Sequence, residues 1–180
     1  MRRIRYSVAM SLDGYIAGPE GEFDWIVQDP TIDFAAFMKQ FDTVLLGRKT
    51  FELTQQMGPD GGMPGMRPIV FSRTLRPEDH PKVTVLAEVR DETLASLTAE
   101  PGKDIWLMGG GELFRSLLDA GWVDTVEVGI IPILLGRGIP LLPSGEGPAK
   151  LRLTETKTLD SGIVNLCYTI DKSPPPQSLS

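Results

Sequence analysis

Four apolar residues, Ile105-Trp106-Leu107-Met108, run straight into three consecutive glycines, Gly109-Gly110-Gly111. Glu112 to Ala120 follows, with Leu113, Leu117 and Leu118 on one helical stripe. A short buried strand, a turn stripped of side chains and a helix start leave free backbone N–H groups at the positive end of a helix dipole. Such an end suits a phosphate or pyrophosphate. A tight turn that needs glycine only for its backbone angles gives the same pattern. The stretch alone leaves both readings open, because a glycine triplet is not the full dinucleotide fingerprint.

The rest of the chain narrows the architecture. Ile4 to Met10 reads as a strand, followed by a turn at Asp13-Gly14. Asp29-Pro30-Thr31 opens an expected helix, in which Phe34, Phe37, Met38 and Phe41 recur at helical spacing and form a buried face. Thr43 to Leu46, Pro68 to Phe71 and Val83 to Leu86 are further apolar strands. Helices are expected over Phe51 to Gln56 and Asp91 to Thr98. This alternation signals crossover units and a parallel sheet. The pattern then changes. Asp124 to Ile131 alternates apolar and polar residues, Leu134 to Leu142 reads as loop, and Leu151 to Leu159 with Ile163 to Ile170 flank Asp160-Ser161-Gly162 as an antiparallel hairpin. The expected fold is α/β: a mixed, mostly parallel sheet of about eight strands, with helices on both faces and a C-terminal antiparallel hairpin.

Composition excludes several classes. The chain has 180 residues and a net charge of −6. It reads as one domain over residues 1–172 with a disordered Pro/Ser-rich tail at 173–180. The acidic balance argues against nucleic-acid and anionic-membrane partners. A single cysteine, Cys167, excludes an internal disulfide framework and fits the cytoplasm. No apolar run is long enough for a signal peptide or a membrane span. The only histidine, His80, is far from Cys167 in sequence, so no metal site is expected. His80 reads as a surface loop residue and Cys167 as strand filler.

On so acidic a chain, local cations stand out. Two further strands end in groups that bind anions: Gly47-Arg48-Lys49-Thr50 and Ser72-Arg73. Carboxyl ends of parallel strands share one edge, where ligands of open α/β sheets bind. The glycine triplet suits a pyrophosphate, while Arg48 and Arg73 suit a separate phosphate monoester gripped by paired hydrogen bonds. A dinucleotide with a 2′-phosphate has that charge distribution, which favours NADPH over NADH. Solvated surface arginines beside carboxylates are the competing reading.

In their order, these stretches resemble the dihydrofolate-reductase-like superfamily over about residues 4 to 170. The motifs are Ser7 to Gly18, Leu45-Leu46-Gly47-Arg48-Lys49-Thr50-Phe51-Glu52, Phe71-Ser72-Arg73, Gly109-Gly110-Gly111-Glu112-Leu113 and Leu135 to Leu142. Within it the chain is most similar to the reductase domain of the bifunctional riboflavin-biosynthesis deaminase–reductase and its stand-alone bacterial relatives. The resemblance implies NADPH as hydride donor, a small heterocyclic substrate and a homodimer. By motif position, Ala9, Ile16 and Ala17 would line the nicotinamide. Gly47, Arg48, Lys49 and Thr50 would contact phosphates, Ser72 and Arg73 the 2′-phosphate, and Gly110, Gly111, Glu112 and Leu113 the pyrophosphate. Asp33 stands near the place of the acidic residue that helps protonate substrate in dihydrofolate reductases. Asp13, Trp25 and Arg137 are substrate-side candidates, with turn formation the favoured reading for Asp13 and core capping an equal one for Trp25. The expected activity is NADPH-dependent reduction of a nitrogen heterocycle, most like the phosphoribosylamino-uracil intermediate of riboflavin synthesis. Folate reduction, or nucleotide binding without turnover, are the alternatives.

Overall fold

The computed structural model describes residues 1–58, 63–145 and 147–172. The strands, in chain order, are β1 (Ile4–Ser11), β2 (Tyr15–Ala17), β3 (Phe41–Gly47), β4 (Arg67–Phe71), β5 (Thr84–Leu86), β6 (Asp104–Gly109), β7 (Thr125–Ile131), β8 (Ile139–Pro140), β9 (Leu151–Thr158) and β10 (Val164–Ile170). The helices are α1 (Phe34–Met38), α2 (Arg48–Thr54), α3 (Asp91–Ala99) and α4 (Gly111–Asp119). Eight strands form the main sheet in the order β5-β4-β3-β6-β1-β7-β10-β9, and β2 pairs with β8 in a separate two-stranded sheet. From β5 to β7 every pairing is parallel, whereas β10 runs antiparallel to both β7 and β9.

Burial explains the layers. Val44, Leu45 and Leu46 of β3 are fully buried, as a strand covered on both faces requires. Each such leucine contributes roughly 1.5–3 kcal/mol of apolar burial. One face of the sheet packs Ile4, Tyr6, Ile105, Leu107 and Val126 against Leu94 and Leu97 of α3 and Leu113, Phe114 and Leu117 of α4. There the Phe114 ring stacks on Tyr6 with centroids 3.8 Å apart. The other face packs Val44, Leu46, Val70 and Trp106 against Phe51 of α2, with Phe37 and Met38 of α1 beside them. Past α4 and α2 the cover thins: β10 is half-buried throughout, and every residue of β9 is exposed. Among the described residues no helix is long and apolar enough to cross a membrane.

The mixed sheet, the helices on both faces and the C-terminal hairpin match the sequence expectation. The first helix does not. The aromatic spacing predicted one buried face from Phe34 to Phe41, but α1 ends at Met38 and buries no residue. Phe41 instead opens β3, and Phe34 is 58% exposed. The spacing straddles a helix of one turn and the next strand, so period alone misassigned it. The strands β2 and β8, in stretches read as turn and loop, are too short to carry a pattern. His80 is half-buried, its ring edge-on to Phe51 with centroids 5.2 Å apart, rather than free on the surface. The expected disordered tail, residues 173–180, lies outside the described residues.

Candidate functional site: the carboxyl rim of the sheet

Parallel pairing from β5 to β7 puts the carboxyl ends of β4, β3, β6, β1 and β7 on one rim, in that order. Between β3 and β6 the connections diverge. The segment carrying α2 leads away to β4, and the one carrying α4 leads the opposite way, past β1, to β7. Such a divergence opens a crevice at the strand ends. The loops singled out by charge and glycine content therefore neighbour one another. With strands about 4.8 Å apart, the β4 end and the β6 end are roughly 10 Å apart.

Backbone dominates the middle of the rim. A Cβ on Gly47 would lie 3.5 Å from the Gly110 nitrogen, and one on Gly110 would lie 3.5 Å from Thr50 Oγ1. The β3 and β6 turns are thus in contact. The Gly109–Gly110 peptide is cis, and Gly109 has a φ of 139°, which side chains rarely adopt. At Gly111 a Cβ would sit 2.9 Å from the Pro140 carbonyl oxygen, so only glycine lets β8 close on the start of α4. Both α2 and α4 start without a side-chain cap, on Gly47 and Gly110. The first intrahelical donor of α4 is Phe114, whose N–H donates to the Gly110 carbonyl at 3.0 Å. The N–H groups of Gly111, Glu112 and Leu113 precede it and face outward from the helix end. Leu113 has its side chain in the core and Glu112 is exposed, so what either offers the rim from above the turn is backbone.

Cations flank the β4 side. Ser72 Oγ accepts from the Leu75 and Thr74 N–H groups at 3.0 and 3.2 Å and so shapes the loop that carries Arg73. The Arg73 side chain is exposed and makes no hydrogen bond or ion pair among the described residues, and the same holds for the Lys49 side chain. Arg48, also exposed, pairs with Glu52 at 2.7 Å, one turn along α2.

On the other side of the crevice lie β1 and the small sheet. Ile16 and Ala17 sit in β2, which pairs with β8. Asp13 accepts from the Ser11 hydroxyl at 2.7 Å and from the N–H groups of Gly136 and Leu135 at 2.7 and 3.1 Å. The Ser11 hydroxyl, with the Gly136 and Leu135 amides, lowers its carboxyl to about 2. Asp13 therefore ties the β1–β2 turn to the loop after β7. Arg137, in that loop, is exposed and has no partner among the described residues. Ala9 and Trp25 pack against the same cluster, Ile131, Leu159 and Ile163, and the Trp25 indole N–H donates to the Glu22 carbonyl at 3.1 Å. Asp33 is exposed and caps α1, accepting from the Ala36 N–H at 2.8 Å.

Two features of this side were not read in the sequence. Arg5 grips Glu127 through two bonds of 2.7 and 2.9 Å, and Ser7 donates to the same carboxylate at 2.7 Å. Burial pushes the Glu127 carboxyl up, but Arg5 and Ser7 outweigh it and hold it below the usual range. Nearer the rim, Ala9, Gly129 and Asn165 are direct register neighbours across β1, β7 and β10. A glycine inside a strand was the available signal for that row.

Two surface depressions, one lined by Arg67, Thr84 and Glu92 and one by Arg2, Lys39 and Lys103, open beside the amino ends of β4, β5 and β6.

Comparison with known proteins agrees with this geometry. The chain is 36% identical over 178 residues to the uncharacterised protein YyaP of Bacillus subtilis (strain 168), covering 93% of this chain and 94% of that one. It is 28% identical over 149 residues to the riboflavin biosynthesis protein RibD of Corynebacterium ammoniagenes, covering 74% of this chain but 44% of that longer protein. A Shewanella sp. PV-4 structure, described provisionally as a riboflavin biosynthesis protein, superposes with a TM-score of 0.79 at 26% identity, covering 96% of this chain and all of that one. Enterococcus faecalis dihydrofolate reductase, solved with NADP(H), shares the fold at a TM-score of 0.66 and 22% identity, covering 94% of this chain and 96% of that one. Residues 2–165 match the RibD C-terminal domain, and the chain belongs to that family.

Proposed function

We propose that the protein is an NADPH-dependent reductase of a small nitrogen heterocycle, most like the phosphoribosylamino-uracil reductase of riboflavin biosynthesis. One observation carries this reading: the order of groups along the rim. Unpaired Arg73 stands at the β4 end, bare backbone at the β3 and β6 ends, and small apolar residues at β1 and β2. That sequence of surfaces suits a 2′-phosphate, a pyrophosphate and a nicotinamide in turn.

The donor set fits such a group. Two uncapped helix starts offer N–H groups to anionic oxygens, and the close approach at Gly47, Gly110 and Gly111 leaves no side chain in the way. Ser72 shapes the loop that presents Arg73, and a guanidinium grips a phosphate monoester by two parallel hydrogen bonds. When bound, the nicotinamide supplies a hydride from its C4. The chain's residues would orient it: Ala9 and Ile16 offer a flat apolar seat, and Asp13 holds the β1–β2 turn against the loop after β7. Trp25, packed on the same apolar cluster as Ala9, would exclude water and stack on a planar ring. Rate enhancement then comes mainly from positioning.

The test is NADPH oxidation followed at its absorbance band with the phosphoribosylamino-uracil and, separately, with dihydrofolate. Turnover of the first supports the proposal, and turnover of the second alone replaces it with folate reduction. Asp33 already commits one oxygen to the α1 cap and is exposed, which weighs against the folate reading. Binding of NADPH without turnover of either would assign the chain to nucleotide binding.

We further propose a homodimer through the exposed β9 edge of the sheet, where Leu151 and Leu153 are 44% and 51% exposed. Sedimentation should show a dimer that Leu153→Glu dissociates; a monomeric wild type ends this idea.

A further inference from the structure

Gly129 lies inside β7, flanked by Val128 and Ile130, and its φ is outside the left-handed region. Nothing in its backbone asks for glycine, and glycine weakens a strand interior. Its use is visible across the sheet. A Cβ there would stand 3.1 Å from Asn165 Oδ1. The missing side chain is the space into which the Asn165 amide leans. Asn165 is half-buried, and its side chain makes no hydrogen bond among the described residues. The amide is not sealed in the interior, so it stands open to a ligand.

Register sets where that amide points its chemistry. Ala9, Gly129 and Asn165 are directly opposed on three adjacent strands, so their side-chain positions share one face. It is the face that carries Trp25 and Ile163 around Ala9, close to the rim. Two small residues leave a floor, and an amide stands at its far side.

We propose that Asn165 is a specificity-determining residue for the heterocyclic substrate, recognising a ring edge that carries an N–H beside a C=O. The inference rests on the reductase reading above and deepens it. A side-chain amide offers one acceptor and two donors in a plane, which matches a cyclic amide or imide by two parallel hydrogen bonds. A site built this way rejects a ring lacking the edge, because the amide then stays unpaired.

The experiment titrates the protein with aminouracil and with aminouracil methylated at its imide nitrogen, by ligand-observed NMR, with and without NADPH. The wild type should bind aminouracil about tenfold more tightly than the methylated ring. Asn165→Leu, of similar volume, should bind both rings alike at the weaker level, keep NADPH affinity within about twofold and keep its thermal midpoint. Asn165→Asp, which keeps an acceptor for the imide N–H but loses the donor to the ring carbonyl, should bind aminouracil more weakly than the wild type while still preferring it to the methylated ring. The proposal is overturned if the wild type fails to bind aminouracil or to discriminate, or if Asn165→Leu still discriminates. An amide that serves packing alone would lower the thermal midpoint of Asn165→Leu and leave ring preference untouched. Absence of NADPH binding would remove the cofactor reading, while the cofactor-free titration would still judge Asn165.

Discussion

The two ends of the sheet treat arginine differently. At the amino ends, Arg2 bonds Asp42 and Thr43, Arg3 bonds Asp104, Arg5 bonds Glu127, and Arg67 bonds Glu100. At the carboxyl ends and in the loops beyond them, the side chains of Arg73, Arg76 and Arg137 have no partner among the described residues, and Arg48 and Arg90 have only exposed neighbours close in sequence, Glu52 and Glu88. The paired arginines close the sheet. The unpaired ones are exposed in the loops beyond the strand ends. In a chain of net charge −6, carboxylates are plentiful, so exposed lone cations near one edge suit the anionic ligand proposed for it.

Substitutions at each end should separate these roles. The largest effect is expected at Gly111→Val, which drives a side chain against the Pro140 carbonyl and disturbs the start of α4. About 3 kcal/mol of stability should go, and NADPH binding with it; denaturant unfolding and a fluorescence titration would read both, and intact NADPH binding would remove the rim's backbone role. Arg2→Met, at the opposite end, leaves Asp42 and Thr43 without their buried donor. It should cost about 2 kcal/mol with NADPH affinity unchanged. A loss of affinity there would blur the division between the two ends.

The smallest effect concerns pH. Asp13, whose carboxyl is lowered from 3.8 to about 2, contributes stability that is present above pH 3.8 and fades as pH falls toward 2. Asp13→Asn should flatten that part of the acid unfolding profile and loosen the loop at Leu135 and Gly136, read by hydrogen exchange. An unchanged profile would show that the tie adds nothing.

Much of this was legible in the sequence, for identifiable reasons. Strands buried on both faces, such as Val44-Leu45-Leu46, announce themselves as apolar runs, and Gly109-Gly110-Gly111 announces a turn that must stay bare. Parallel topology then put three such turns on one rim without any pairing being known. The arginine pairs at the amino ends were not legible, because Arg2 and Asp42 or Arg5 and Glu127 meet only through strand order. The row of Ala9, Gly129 and Asn165 was hidden for the same reason: it exists in the register of three strands, not in any one of them. Phe34 to Phe41 misled because a short helix and the following strand happened to continue one spacing.

The central claim is that the unpaired cations of the rim hold the phosphate that distinguishes NADPH from NADH. It is tested most directly by titrating both cofactors into the wild type and Arg73→Ala. The wild type should prefer NADPH by about tenfold or more, and Arg73→Ala should lose most of that preference while binding NADH as before. Equal affinity of the wild type for the two cofactors, or a preference that survives the loss of Arg73, would contradict it.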